Sequence, residues 1–328
     1  MKERLTDVDM VKGLAMLTVL WNHSFILVPI NIHERWWSIW LQDINATFFV
    51  CVFFLVSGYL FNSSSLKKPN FSTLVKKLKR LLIPFLSFSL LNYLMKVIAP
   101  SLVNKQVGSF SEYAYKVVVG GGELWFLYVL FLIFLIWMVV LPYVPQNKVL
   151  WIAIVLFVID QIVDGRDAEG GIFLWPRLIH FSVFFLVGFV LRDIPSFRGF
   201  IKSDKSFIIS SILFVLLCVV LTKQVQQLLL GWPILCFIGC WFVWSLGARL
   251  CRYEKAVKVL SYVGKNSLGF YWLNGYVLVL VRVLVVTIMG VIFGPAVVLT
   301  VFVLCAVIET LIIFIIKKMP KVGILIGV

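Results

Sequence analysis

Lys12 and His23 are two ionisable residues at the ends of one otherwise uncharged segment, "KGLAMLTVLWNH". In an α-helix, their spacing of eleven residues corresponds to three turns plus about 20° and a rise of about 16 Å. Both side chains are therefore predicted to lie on one face of a helix. A lysine can bind anionic groups, and a neutral imidazole can take up a proton near pH 7. The pair suits an extended substrate that has phosphates at one end and a reactive centre at the other.

The chain around this segment is strongly apolar. Of its 328 residues, 62% are hydrophobic and 14% are charged, and the mean hydropathy is +1.03. These values are typical of a protein that crosses a membrane several times. Ten apolar runs are long enough to span a bilayer as helices, and we predict them at 8–29, 46–62, 81–99, 124–141, 149–164, 175–191, 206–222, 229–248, 266–289 and 292–316. The predicted fold is an all-α membrane helix bundle with about ten transmembrane helices, which forms a single domain over residues 1–328.

The net charge of +15 is distributed according to membrane topology. Most lysines and arginines fall in alternate loops on the side of the N-terminus, which places both termini in the cytoplasm by the positive-inside rule. We therefore expect membrane lipids as partners and no nucleic acid, and we expect the cytoplasmic (inner) membrane of the cell as the location. The six cysteines have no metal-like spacing, so neither a metal site nor a disulfide framework is predicted.

His23 is predicted to lie within the first span, in the outer half of the hydrocarbon, because the rise from the cytoplasmic boundary is about 20 Å. An ionisable group at such a depth is costly unless it faces the bundle interior, so a functional role is expected. Acyl coenzyme A has the required extended shape. Its nucleotide phosphates could stay with cytoplasmic cations while the pantetheine arm carries the thioester into the bundle.

Two further cations, Lys77 and Arg80, precede the third predicted span at a spacing of three residues. On a helix they would share a face and could flank the donor phosphates. Each of them alone could equally be a topology determinant attracted to anionic lipid.

Other polar residues near or within spans could bind an acceptor or stabilise an oxyanion. Glu123 precedes an interfacial tryptophan by two residues, and Arg177 and His180 share a face at the outer end of the sixth span. Arg282 is expected in the outer half of the ninth span, at a depth similar to His23, where a cation could bind an anionic sugar or a developing oxyanion. Glu309 is nearer the cytoplasmic side and could be a structural partner for a basic residue.

Several segments together resemble the acyltransferase-3 family of membrane acyltransferases. The first is the basic residue, ten intervening residues and histidine of Lys12 and His23. Four more segments follow in order: "VFFLVSGYLF" at 52–61, "KKLKRLLIPF" at 76–85, "ELWFLYVLF" at 123–131 and "LSYVGKNSLGFYWLN" at 260–274. The family transfers acyl groups, commonly acetyl from acetyl coenzyme A, to hydroxyls of surface sugars and other acceptors.

The resemblance implies that His23 is catalytic and that Lys12, Lys77 and Arg80 bind the donor. Acetyl coenzyme A would be a substrate, not a bound cofactor, and the acceptor would be a glycan or its lipid-linked precursor. The type expected is a sugar O-acetyltransferase, similar to fucose 4-O-acetylase-like proteins and to enterobacterial common antigen O-acetyltransferases.

The chain departs from the family pattern at several positions. Cys51 stands where the family often has proline, Phe49 lies near a position where fucose-type members often have histidine, and Asn274 replaces the histidine that ends the late motif in many members. Lysine replaces arginine at positions 12 and 77, which keeps the charge and loses the planar fork. These departures bear on the acceptor and on any second histidine in the mechanism.

The sequence therefore predicts an O-acetyltransferase in which His23 acts as a general base or carries the acetyl group as a nucleophile. Two alternatives belong to other classes. Ten spans with buried Arg and His would also suit a transporter or flippase for a glycolipid or anionic solute. An inactive scaffold derived from the acyltransferase fold is conceivable because of Phe49 and Asn274, although Lys12 and His23 are intact.

Overall fold

The computed structural model describes residues 5–25, 36–61, 71–98, 108–163, 172–220, 231–289 and 294–319. These residues form helices joined by short turns, and no strand occurs among them. The predicted all-α membrane bundle is confirmed.

The α-helices are α1 (Thr6–His23), α2 (Trp36–Ala46), α3 (Cys51–Leu60), α4 (Phe71–Ile98), α5 (Phe110–Gly120), α6 (Trp125–Val140), α7 (Gln146–Val163), α8 (Trp175–Arg192), α9 (Phe197–Ile201), α10 (Asp204–Val220), α11 (Gly231–Leu250), α12 (Glu254–Lys265), α13 (Ser267–Met289) and α14 (Gly294–Ile316).

Eight helical segments in the described part of the chain are long and apolar enough to cross a membrane. They are Trp37–Leu60, Lys79–Ile98, Phe110–Tyr143, Gln146–Val163, Ile172–Arg192, Trp232–Leu250, Ser267–Val285 and Pro295–Ile316. The other two predicted spans correspond to α1, whose first turns carry two aspartates and a lysine, and to α10, which is described as far as Val220. The protein is a multi-pass membrane protein.

Two predicted boundaries differ from the structure because short turns interrupt the apolar runs. The second predicted span, 46–62, starts too late, because the apolar segment Trp37–Leu60 also includes α2, which a turn at 47–50 separates from α3. The fourth is preceded by α5, which the sequence analysis did not predict. Gly121 and Gly122 adopt positive φ angles of 68° and 56° between α5 and α6, a conformation that glycine reaches without strain.

The chain divides into two compact units, which are described separately. The first unit is formed mainly by Met1–Val56 and Ile194–Pro320, and the second by Ser57–Asp193. The expectation of one domain over residues 1–328 stays a prediction.

In the first unit, α1 packs closely against α11 and α12 through glycines. A Cβ at Gly264 would overlap the backbone of Asp9, and a Cβ at Gly13 would overlap the backbone of Leu260. Small residues of this kind let membrane helices approach at backbone distance. The contact places α12, and hence the start of α13, directly beside α1.

Further along α1, towards its C-terminal end, an apolar cluster joins α1 to α13 and α14. Its buried members are Met16, Val19, Leu20, Val263, Phe270 and Ile313. Leu20 lies one turn of α1 before His23, so the cluster fixes the faces that α13 and α14 present to that histidine.

The second unit contains α4 to α8. Gly58 packs on the backbone of Phe185 in α8, as the close-packing interpretation of the "SGY" segment predicts. The buried ring of Tyr59 lies under the guanidinium of Arg192, 5.0 Å from the ring centroid. Between α6 and α8, Trp137 Nε1 donates to Ser182 Oγ at 3.0 Å.

Candidate active site

His23 is the first member of a hydrogen-bonded chain that joins three helices of the first unit. Its Nδ1 lies 2.6 Å from Asn274 Oδ1 on α13, and Asn274 Nδ2 donates to Glu309 Oε1 on α14 at 3.0 Å. The amide nitrogen can only donate, so its bond to the carboxyl turns the amide oxygen towards the imidazole. Nδ1 of a neutral His23 therefore carries the hydrogen, and Nε2 keeps its lone pair.

Asn274 and Glu309 are completely buried, whereas His23 itself is partly exposed. Asn274 is 1% exposed and Glu309 is 0% exposed. Within the described part of the chain, Oε2 of Glu309 has no hydrogen-bond partner, and neither does Oδ1 of Asn22 next to the histidine. Polar atoms at such depth normally have partners, which marks the chain as more than helix packing. An imidazole with one nitrogen held and the other available can act as a base.

The hydrogen-bonded chain lies on the side of the first unit that is predicted to face the cytoplasm. Asn274 is seven residues from the start of α13 and Glu309 is seven residues from the end of α14, which corresponds to about 10 Å in each case. The depth predicted for His23, in the outer half of the membrane, stays a prediction. Within the first unit, α12 packs beside Asp9 and Gly13, so the first turns of α1 lie level with α12.

Lys12 lies three turns before His23 on α1, in the predicted spacing. Its ammonium pairs with Asp9 at 3.0 Å, and its side chain is 23% exposed. The neighbouring acid Asp7 is buried and lies 3.8 Å from the guanidinium of Arg198. The Lys12 ammonium has three N–H donors, so it can bind a phosphate while it keeps its contact with Asp9.

Arg282 does not share the level of His23. It lies eight residues beyond Asn274 on α13, about 12 Å further from the predicted cytoplasmic end. It is 5% exposed. Its backbone is thus separated by that distance from the residue that binds His23, and its role in an acceptor or oxyanion site stays a prediction.

The other predicted donor residues belong to the second unit. Arg80 is exposed on α4. Lys77 falls on the same helix, and its side chain lies outside the described residues.

The remaining predicted site residues of the second unit each contact a different partner. Glu123 pairs with Lys96. The guanidinium of Arg177 lies 4.1 Å from the ring centroid of Trp125, and His180 Nδ1 lies 2.8 Å from Asp160 Oδ2.

The partners of His23 were the main residues that sequence reasoning missed. Asn274 was interpreted only as a departure from a motif, and Glu309 was expected to pair with a basic residue, whereas it binds Asn274. The available signal was the presence of polar side chains within apolar spans, which usually face one another.

Comparison with known proteins gives one match. A family model described as an acyltransferase domain, Acyl_transf_3, matches residues 5–311. The curated proteins and the solved structures give no significant match.

Proposed function

We propose, because the chain belongs to the acyltransferase-3 family, that it is a cytoplasmic-membrane O-acetyltransferase. It would transfer acetyl from acetyl coenzyme A to a hydroxyl of a surface glycan or its lipid-linked precursor. The observation that supports this proposal best is the hydrogen-bonded chain of His23, Asn274 and Glu309.

In the proposed reaction, Nε2 of His23 accepts the proton of the acceptor hydroxyl while that oxygen attacks the thioester carbonyl. A C–O bond forms, the C–S bond breaks, and the imidazolium returns its proton to the sulfur of coenzyme A. Asn274 accepts from Nδ1 throughout, which holds the tautomer and the plane of the ring. General base catalysis of this kind contributes about 10²- to 10⁴-fold to a rate.

The position of the hydrogen-bonded chain of His23, Asn274 and Glu309 suits a donor that enters from the cytoplasm. The reactive centre lies about 10 Å from the ends of α13 and α14, and Lys12 lies three turns closer to the start of α1 than His23 does. Donor binding by Lys77 and Arg80 rests on the motif resemblance. Acceptor or oxyanion contacts by Glu123, Arg177 or Arg282 also belong to the proposal, whereas His180 is assigned to helix packing because it is buried against Asp160.

The test is transfer of radiolabelled acetyl from acetyl coenzyme A into glycans of membrane vesicles that carry the protein. His23→Ala should lower label incorporation about a thousandfold at equal expression. A folded His23→Ala protein with full activity would refute the mechanism.

Two further measurements separate the related possibilities. Acid quenching during turnover should trap no acetyl-histidine if His23 acts as a base, and trapped label on His23 would show the nucleophilic route. Solute uptake without label transfer by the unaltered protein would favour the transporter alternative, which the family match makes the weaker one.

A further inference from the structure

Two arginines at the end of α11 converge on one carboxylate oxygen. Arg249 Nη1 lies 2.5 Å from Asp204 Oδ1, and Arg252 Nη2 lies 3.0 Å from the same atom. The three side chains are 36%, 53% and 59% exposed for Arg249, Arg252 and Asp204. Two cations that share one acid carry a positive charge in excess, and their polar atoms are accessible to a ligand.

This arginine pair lies at the same end of the first unit as Lys12. Gly247, two residues before Arg249, packs so closely on Val11 that an added Cβ would lie 2.8 Å from Val11 Cγ2. Burial raises the pKa of the Cys251 thiol, the charge of Asp7 raises it further, and Lys202 opposes both, so Asp7 and Lys202 are close enough to the turn to act on this thiol. The basic surface therefore adjoins the start of α1.

Arg249 contacts two side chains of α10. Its guanidinium lies 4.8 Å from the ring centroid of Phe207, and it donates to Asp204. The contact with Phe207 does not involve the carboxylate, so it can keep the guanidinium oriented when another anion replaces Asp204.

We propose that Arg249 and Arg252 bind a phosphate group of coenzyme A, which takes the place of the Asp204 carboxylate. Planar guanidinium groups match phosphate oxygens with parallel N–H bonds, and two of them can neutralise a dianion. The spacing "RLCR" repeats the basic, two residues, basic pattern of Lys77 and Arg80, here with arginine at both positions. This inference rests on the donor assigned under the proposed function.

A purely structural role makes a different prediction. If the cluster only joins α10 to α11, then Asp204→Asn and Arg252→Ala break the same ion pair and should alter coenzyme A binding in the same direction. If phosphate competes with Asp204 for the arginines, the two changes act in opposite directions. Asp204→Asn should then tighten binding several-fold, because the competing anion is gone.

The experiment measures binding of radiolabelled coenzyme A and of 3′-dephospho-coenzyme A to the full-length protein in nanodiscs of neutral lipid. Arg249→Ala and Arg252→Ala should each weaken coenzyme A binding about tenfold, the effect expected for one charge-assisted hydrogen bond. Arg252→Lys, which keeps the charge, should fall between Arg252→Ala and the unaltered protein. Lys258→Ala, at an exposed position on α12, is the matched control and should bind normally.

Each outcome either assigns the phosphate group of coenzyme A that binds or rejects one of the two proposals. If the arginine variants lose affinity for coenzyme A but not for the 3′-dephospho form, the 3′-phosphate is the ligand, and equal losses for both forms assign the diphosphate. Equal binding of coenzyme A by all variants would overturn the inference, and so would weaker binding by Asp204→Asn. If the unaltered protein binds no coenzyme A, the result rejects coenzyme A as the donor in the proposed function, and this inference fails with it.

Discussion

The two units each contain an intramembrane histidine hydrogen-bonded through Nδ1, and they use it differently. In the first unit, His23 reaches the carboxyl of Glu309 through the amide of Asn274. In the second unit, His180 contacts Asp160 directly at 2.8 Å. The contact of His180 with Asp160 joins α8 to α7, whereas the chain through Asn274 joins α1, α13 and α14.

The surroundings of the two imidazoles differ as well. His180 is 2% exposed and has the rings of Phe181 and Phe184 against it. His23 is partly exposed at the end of α1. A base must present one nitrogen to substrate while the other is held, and only the environment of His23 combines both conditions. The comparison favours His23 over His180 as the candidate base, because the two imidazoles differ in exposure although both have Nδ1 held.

The largest effect expected at the partners of His23 comes from removal of the amide. Asn274→Leu leaves Nδ1 without its acceptor and allows the unproductive tautomer, so kcat should fall about a hundredfold with little change in the KM for acetyl coenzyme A. The measurement is label transfer by purified protein of verified thermal stability. Unchanged kcat would show that His23 does not depend on this contact.

A double variant can convert the first unit to the arrangement of the second. Asn274→Asp with Glu309→Gln gives His23 a direct carboxylate partner, as Asp160 gives His180. Because the carboxylate still accepts from Nδ1, activity should remain within about tenfold of the unaltered protein. A loss as large as that of Asn274→Leu would show that the amide itself is required.

A smaller loss is expected from Glu309→Gln. The side-chain amide oxygen can still accept from Asn274, so the orientation of the chain is kept and only the acid is lost. We expect kcat to fall by about tenfold or less, and Glu309→Leu to fall further because Asn274 then loses its partner. Equal activities for the Gln and Leu variants would contradict an orienting role.

The comparison predicts a change in stability, with little change in turnover, for the second unit. His180→Ala leaves Asp160 buried without its imidazole, which should cost about 3–5 kcal/mol if the pair is ionic. Activity per folded molecule should change less than threefold. The measurements are the Tm in detergent and the KM for glycan. An unchanged Tm with a raised KM would instead assign His180 to the acceptor site.

Two glycines extend the comparison to helix packing. An added methyl at either Gly264 or Gly58 would overlap backbone of the neighbouring helix, so either alanine variant should destabilise the fold by about 1–3 kcal/mol. Gly264→Ala should also lower activity several-fold, since it separates α12 and α13 from α1. Gly199→Ala is the control, because a Cβ there meets no atom within 4 Å. Equal activity losses for Gly58→Ala and Gly264→Ala would contradict this reasoning.

Much of the fold was predictable because hydropathy alone identifies membrane helices. The helix that carries Lys12 and His23, and the segments Gln146–Val163 and Ser267–Val285, were each predicted near their observed positions. Helices α9 and α12 were not predicted, since they are short and lie between spans. The position of α1 beside α12 was not predicted either, because it is set by contacts between residues far apart in the sequence.

The site itself was only half predictable from the chain. The spacing of Lys12 and His23 is local, and helical geometry converts it directly into a shared face. Asn274, in contrast, is 251 residues from His23, and no local pattern specifies such a contact. The pairing of His180 with Asp160 was missed in the same way, although both residues lay within predicted spans.

The long separation of His23 from its partners has a consequence for biogenesis. α1 leaves the ribosome before the other described helices, and its first turns hold Asp7, Asp9 and Lys12, so it enters the membrane as a weakly apolar segment. Its glycine contact with α12 and its bond to Asn274 become available only after most of the chain has been synthesised. Glu309, on the last described helix, is the last member of the hydrogen-bonded chain to be synthesised. A ribosome-bound intermediate, or a protein truncated before α14, therefore contains His23 without Glu309, and under the proposed mechanism we expect no transfer activity before α14 is inserted.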